Sequence, residues 1–373
     1  VRQMVVLLEE LGARAQYDAD SHCLEVDTTH LVGFHVRAEM MKKMRASVLV
    51  AGPLLARFGR VDMALPGGDL IGARPIDFHL KNFEKMGASF FMQGETLTGI
   101  VHKLVSARLV LEYPSVGATE NLMMAAVLTK GVTRIVNAAL EPEVIDLMEL
   151  LKAMGASIHI EFPATIVIEG VSQLAPVEYT IIGDRLEVGT LLLAAAVTKG
   201  SITIPNARPH LLDVFLFKLE EMGHIVKMGD EGIGISFKAT STPRAVSFRT
   251  MPYPGFPTDL QAPMMAALSL ASGSALVQET VYENRFLHVR ELQKMGAQIK
   301  VEGEKATVKG VESLYGARVI ASDIRASAAL VLAGLAAKGT TIVTGVHHWR
   351  RGYEALEVRF AQLGASISVK KVT

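Results

Sequence analysis

The chain has 373 residues, half of them apolar and only 6% aromatic, which suits two domains with cores of Ala, Val, Leu, Ile and Met. Thirty-eight basic residues balance 38 acidic ones, so bulk charge gives no reason to expect a nucleic-acid or membrane partner. The single cysteine, Cys23, excludes an internal disulfide and fits a reducing compartment, and no apolar run is long enough to span a bilayer.

The first predicted element, VRQMVVLLEELGA, is a helix ending at a glycine, and its closing phrase recurs. LEELGARA, FEKMGASF, LKAMGASI, LEEMGHIV, LQKMGAQI and FAQLGASI place glycines at Gly12, Gly87, Gly155, Gly223, Gly296 and Gly364. Repeats of this period are whole supersecondary units. Glycines three units apart are separated by 209 to 211 residues, so the chain reads as two domains of three units. We place them at residues 1–182 and 183–373, with the boundary between Tyr179 and Asp184.

Each unit has a regular order. In EPEVIDLMELLKAMGASIHI, the apolar residues Val144, Leu147, Leu151 and Met154 follow helical spacing. Gly155 then stands where a positive φ ends a helix, and SIHI and TIVIEGV read as strands. Upstream of each marker lies a different helix: ATENLMMAAVLTKG, VGTLLLAAAVTKG, LQAPMMAALSLASG or RASAALVLAGLAAKG. These are apolar nearly all round, which means burial on every side. The expected unit is helix–strand–helix–strand–strand with room for a strand in front. Helices would lie inside and sheets outside, around a domain axis. A Rossmann fold would require a G-x-G-x-x-G after its first strand, and none occurs. Later markers follow a turn glycine by 23 to 25 residues, and Gly12 has no room for one. The first repeat is therefore expected to begin in its second helix, as in a chain whose front is truncated.

Four kinds of motif could carry chemistry. PSVGATEN, GDRLEVGT, FPTDLQAP and ASDIRASA each open a buried helix, with Thr258 and Gln261 at capping-box spacing. Taken singly they read as plain caps. If the buried helices of a domain run parallel, their positive ends converge on a site for an anion. Arg45, Arg74, Arg285, Arg325 and Arg351 sit in turn-like or cap contexts. Such arginines suit bidentate carboxylate or phosphate, or surface ion pairs. Asp259, after three prolines in PYPGFPTDLQ, is either a dipole-complementing helix residue or a fixed base kept ionised by the helix end. PGGDLIGARP, at residues 66–75, reads equally as a turn or as a loop that closes over a ligand and delivers Asp69. Closure would raise the Asp69 pKa and Arg74 would lower it, and the first must win for Asp69 to donate a proton. No metal site is expected: His347 and His348 are adjacent and cannot face one way in a strand, and His79, His102 and His288 lack partners at ligand spacing. No cofactor is implied either.

Together KMRAS, LPGGDLIGARPIDFHL, PSVGATEN, FPTDLQAP, ETVYENRFLHVRELQKMGA, DIRASAALVLAG and RRGYE closely resemble the enolpyruvyl transferases of the UDP-N-acetylglucosamine 1-carboxyvinyltransferase type. The resemblance runs from Val1 to the C-terminus. It implies an α/β fold of the EPSP synthase kind: a two-domain inside-out α/β barrel, each domain a threefold βαβαββ repeat. It also implies a cytoplasmic enzyme of peptidoglycan precursor synthesis, whose cleft closes on UDP-N-acetylglucosamine and phosphoenolpyruvate. The implied reaction is addition followed by elimination of phosphate. By this resemblance Asp259 is the base and Asp69 the general acid. Arg45, Arg74 and Arg351 would hold the phosphate and carboxylate of phosphoenolpyruvate, with Arg325 nearby. Arg74, Pro75, Ile76, Asp77, Phe78, Tyr113, Pro114, Ser115, Val116, Gly117, Thr258 and Val281 match the nucleotide-sugar contacts, the helix start at Ser115–Gly117 suiting the diphosphate.

The sequence departs from that pattern in three places. Most relatives carry cysteine where this chain has Asp69, so fosfomycin, which alkylates that cysteine, is expected not to inactivate it. A Lys-Asn pair that helps bind phosphoenolpyruvate is absent, which puts turnover by this chain in question. Tyr113 stands where some relatives have lysine. Two other readings stay open: a non-catalytic paralogue that binds a sugar nucleotide, and the sister activity on shikimate 3-phosphate.

Overall fold

The six marker glycines take φ between +95° and +101° in the computed structural model, which describes residues 1–69, 71–73 and 75–370. Each closes its helix in the same way. Gly155 donates its N–H to Lys152 O and Ala156 donates to Leu151 O, both at 2.9 Å, and the other five repeat this pair of bonds. This is a Schellman ending, and its left-handed residue admits glycine at little cost where a Cβ would be strained.

The chain divides into two compact units, Val1–Gly68 with Arg74–Ile182, and Asp69–Ala73 with Gly183–Thr373. In the first unit the buried helices are α1 (Ala51–Phe58) and, beyond the amphipathic α2 (Asp77–Lys85), α3 (Val116–Ala126). Around α3 runs a complete βαβαββ repeat. It comprises β1 (Arg108–Val110), α3, β2 (Val132–Val136), α4 (Pro142–Ala153), β3 (Ser157–Glu161) and β4 (Thr165–Glu169). The strands form one sheet in the order β1-β2-β4-β3, with β1 and β2 parallel and the other neighbours antiparallel. The core joins Leu54, Leu55, Leu122, Met123, Ile135, Ile166 and their neighbours.

The second unit repeats this plan. Its buried helices are α5 (Arg185–Val197), α6 (Gln261–Leu268) and, after the amphipathic α7 (Val289–Lys294), α8 (Ile324–Ala336). All eight residues of α6 are buried, as an all-apolar face pattern requires. A second complete βαβαββ repeat surrounds α6. Here β5 (Phe248–Arg249), β6 (Ser274–Gln278), β7 (Gln298–Glu302) and β8 (Lys305–Lys309) are ordered β5-β6-β8-β7. The helices α5, α6 and α8 pack on one another, and their last residues line a common depression. They therefore run in one direction.

The repeat is less regular than its spacing implies. Among the described residues, only the units around α3 and α6 show all four strands, and residues 365–370 after Gly364 carry no assigned strand. No helix among the described residues is long and apolar enough to cross a membrane.

Candidate active site

In the first unit the relevant groups gather at the start of α3. Ser115 caps it, its Oγ accepting from the Ala118 N–H at 3.3 Å, so Tyr113 and Pro114 lead directly into the first turn with Val116 and Gly117. His79, on α2, lies against that turn. A Cβ on Gly117 would stand 3.7 Å from His79 Nε2, an ordinary contact distance, so the ring sits directly beside this turn. Asn121 Nδ2 donates to His79 Nδ1 at 3.0 Å and to Val48 O at 2.9 Å, and Gly52 donates to Asn121 Oδ1 at 2.6 Å. This network assigns the ring proton to Nε2, on the side of Gly117. Burial, aided by Arg45, pushes the His79 pKa down to about 4, so the ring is a neutral N–H donor at physiological pH. Arg45 also donates to Pro75 O at 3.3 Å. Ile76 precedes α2, Asp77 pairs with Lys81 at 3.3 Å, and Phe78 packs on the core. One turn further along α3, burial together with Glu143 and Glu141 pushes the Glu120 pKa up to about 7.

In the second unit Asp259 occupies the short turn Thr258–Leu260 that leads into α6. Arg285 donates to its Oδ1 and Arg325, in the first turn of α8, donates to its Oδ2, both at 2.7 Å. The Arg285 and Arg325 side chains are 5% and 12% exposed, while the Asp259 side chain between them is 31% exposed, so two nearly buried cations hold a carboxylate that keeps one face open. Burial pushes the Asp259 carboxyl up, but Arg325 and Arg285 outweigh it and hold it well below the usual carboxylate range. Arg325 Nη1 donates in addition to Tyr353 Oη at 3.1 Å, which also lies 2.9 Å from Thr190 Oγ1 of α5. Starts of α6 and α8 thus meet at one ionised carboxylate.

Asp69 belongs with this second unit. Its Oδ1 accepts from Arg351 Nη1 at 2.6 Å, and its Oδ2 faces the backbone N–H of Ile324 at the start of α8 at 3.4 Å. His348 Nδ1 lies 3.8 Å from Oδ1. Arg351 and His348 both come from α9 (Val346–Gly352). Among the described residues, then, the cation on Asp69 is Arg351. Arg74, expected to be that neighbour, lies outside the described residues.

Two expectations need correction. Thr258 and Gln261 form no capping box: Thr258 Oγ1 donates instead to the Glu279 carboxylate, 3.0 Å from each oxygen, and neither the turn nor α6 has a side-chain cap. The charge-assisted bond to this buried carboxylate is what orients the hydroxyl. His347 and His348 lie on a helix rather than a strand, with ring centroids 4.0 Å apart. Sequence reasoning named Arg285 only as one of several arginines suited to a carboxylate, a phosphate or a surface ion pair, weighed His79 only as a metal ligand, and missed Tyr353 and Glu279. A signal existed only for Arg285, in the NRF of ENRF, whose arginine follows no polar helix face. Val281 lies in the same loop as Arg285, four residues earlier. Among the described residues no group of three or more His, Cys, Asp or Glu is arranged to hold a metal ion.

The family model described as EPSP synthase (3-phosphoshikimate 1-carboxyvinyltransferase) matches residues 1–360. The chain is 46% identical over 367 residues to the UDP-N-acetylglucosamine 1-carboxyvinyltransferase of Geobacter metallireducens, covering 98% of this chain and 87% of that one. It is 47% identical over 362 residues to the enzyme of the same name from Shewanella amazonensis, covering 97% and 86%. Among solved structures, the enolpyruvyl transferase NikO from Streptomyces tendae superposes with a TM-score of 0.88 at 25% identity, over 98% of this chain and 86% of that one. An EPSP synthase from Acinetobacter baumannii gives 0.74 at 17% identity over 99% and 88%, a likeness of fold alone. The repeat architecture, the paired buried helices and these matches agree: the chain belongs to the EPSP synthase family of carboxyvinyltransferases, with the UDP-N-acetylglucosamine 1-carboxyvinyltransferases as its relatives.

Proposed function

We propose that the protein transfers the enolpyruvyl group of phosphoenolpyruvate to the 3′-hydroxyl of UDP-N-acetylglucosamine and releases phosphate, a cytoplasmic step of peptidoglycan precursor synthesis. The observation that carries this reading is Asp259, held ionised between Arg285 and Arg325 in a chain 46% identical to such enzymes along nearly its whole length. Residues 1–182 and 183–373 are then the first and second enolpyruvyl transferase domains.

Asp259 takes the proton of the 3′-hydroxyl, whose oxygen adds to C2 of phosphoenolpyruvate while Asp69 gives a proton to the methylene carbon. The tetrahedral ketal then loses a proton from that carbon together with phosphate, restoring the double bond. A carboxylate so strongly paired is always ionised but is a weak base. Its contacts must loosen as the hydroxyl arrives, and a substrate anion that draws on either arginine would do this. Asp69 faces a similar requirement. Both its oxygens accept bonds, and Arg351 must turn to the phosphoenolpyruvate anion to free the carboxyl for the methylene carbon. Arg45, Arg74 and Arg351 are the anion holders in this reading. Thr258, Val281 and the segments 74–78 and 113–117 hold the sugar nucleotide, the diphosphate at the start of α3.

The test is phosphate release from phosphoenolpyruvate by the protein expressed from its native start codon, with UDP-N-acetylglucosamine or shikimate 3-phosphate as acceptor. Release with the first alone is expected. Release only with the second would replace this reading by the sister activity. Sugar-nucleotide binding without release would make the protein a non-catalytic paralogue.

A further inference from the structure

Glu279 follows β6 and is 1% exposed, yet among the described residues it has no arginine or lysine partner. Its oxygens are met by neutral donors from three chain segments. Thr250 Oγ1 donates to Oε1 at 2.8 Å, and the N–H groups of Val281 and Tyr282 donate to the same oxygen at 2.9 and 3.2 Å. Thr258 Oγ1 is 3.0 Å from both oxygens. A carboxylate that is buried without a counter-ion persists only where such donors are fixed around it.

The donors are informative because of their neighbours in the chain. Thr258 is the residue before Asp259. Val281 and Tyr282 open the loop that reaches Arg285, and the Tyr282 ring lies under the Arg285 guanidinium, 5.0 Å from its centroid. Both members of the Asp259–Arg285 pair are therefore suspended from one carboxylate that touches neither. Thr250 ties the same point to the strand side, since its Oγ1 accepts from Thr280 N–H at 3.0 Å and its backbone O accepts from Thr280 Oγ1 at 2.5 Å.

We infer that Glu279 is a positioning residue for the proton-accepting carboxylate: it fixes the separation between the Asp259 turn and the Arg285 loop, and so sets how tightly Asp259 is held. The inference rests on the proposed transferase reading, in which Asp259 is the base. Its function is geometric, through acceptor atoms, so a neutral amide in the same place should largely replace it. A glutamine offers one oxygen to Thr250, Val281 and Tyr282, and its NH₂ can donate to Thr258 Oγ1.

The experiment compares wild type, Glu279→Gln, Glu279→Ala and Thr250→Val in the protein expressed from its native start codon, each checked for a cooperative thermal transition. Steady-state phosphate release is measured from pH 4.5 to 9. For Glu279→Ala we expect kcat to fall about 30- to 300-fold with KM for the sugar nucleotide raised less. The acid limb of kcat/KM should move up in pH, because Asp259 released from Arg325 and Arg285 returns toward the ordinary carboxylate range. Glu279→Gln should lie within about fivefold of wild type, and Thr250→Val, which removes one donor, should show a smaller shift in the same direction. Thr250→Val also keeps the test available if Glu279→Ala does not fold. A folded Glu279→Ala protein with unchanged kcat and acid limb would overturn the inference and leave the transferase reading intact. So would a Glu279→Gln protein as impaired as Glu279→Ala, or a folded Thr250→Val protein with no shift where Glu279→Ala is unfolded. A wild-type protein that releases no phosphate would overturn both.

Discussion

The two units present the starts of their buried helices with opposite chemistry. At α3 of the first unit the groups are neutral or charge-suppressed: the Ser115 Oγ cap, the backbone of Val116 and Gly117, and a His79 ring kept uncharged by burial, with Arg45 and Asp77 as formal charges nearby. At α6 and α8 of the second unit the groups are paired ions: Asp259 with Arg285 and Arg325, and Asp69 with Arg351. The same repeat underlies both ends. A neutral donor set suits a ligand whose charge stays constant, as a diphosphate's does. An ion-pair set suits groups whose charge must change during a reaction, because each arginine can be handed from carboxylate to substrate.

The largest expected effect lies in the second unit. Asp259→Asn keeps the shape and one acceptor but removes the base, and should lower kcat by about 10²- to 10⁴-fold. It also leaves Arg285 and Arg325 without their anion, so a fall in thermal midpoint equivalent to a few kcal/mol should accompany it in calorimetry. An unchanged kcat would show that the ion pairs there are structural. At the other end, His79→Leu should spare kcat and raise KM for UDP-N-acetylglucosamine about tenfold, since it removes one neutral donor facing the Gly117 turn. Parallel losses in kcat and KM would dissolve the contrast between the two helix starts.

Asp69 offers a chemical version of the same comparison. Fosfomycin should give no time-dependent inactivation and no mass adduct on the loop of the wild-type protein. Asp69→Cys should gain both, because a thiolate is the nucleophile that epoxide requires. An adduct on the wild-type loop would refute this.

The smallest effect is a stability measurement. The Glu120 pKa is raised to about 7, so between its ordinary 4.5 and that value the folded protein holds a proton the unfolded chain has lost. This group's contribution to stability is therefore present at low pH and lost as pH rises through 7. Glu120→Gln should raise the thermal midpoint at pH 8, by about 1–3 kcal/mol equivalent, and change it little at pH 4.5. A gain of equal size at both values would mean that Glu120 acts through packing instead.

Much of the scaffold was legible in the sequence because its rules are local. Six glycines with identical spacing to the helix before them could only be helix stops, and all-apolar segments such as LQAPMMAALSL could only be buried. The chemistry was legible only in part. Asp259 stood out against its prolines, but its partners Arg285 and Arg325 lie 26 and 66 residues away, and Arg351 lies 282 residues from Asp69. No periodicity encodes such pairings. Thr258 misled for a related reason: its spacing to Gln261 is that of a cap, while its hydroxyl is oriented by donating to Glu279, 21 residues on. His79 was judged by what a metal would need, whereas its role at Gly117 comes from a network through Asn121, 42 residues on.

The six Schellman endings carry a consequence for how the chain acquires its structure. Each is closed by hydrogen bonds between residues three and five apart, so it can form before any distant segment is in place. The stops mark off short stretches of helix and hairpin that are natural cooperative blocks, and hydrogen exchange should release amide protection in steps that end at these glycines. The ion pairs of the second unit span far longer separations and can close only after those blocks have assembled. The chemistry of the protein is thus the last thing its folding completes.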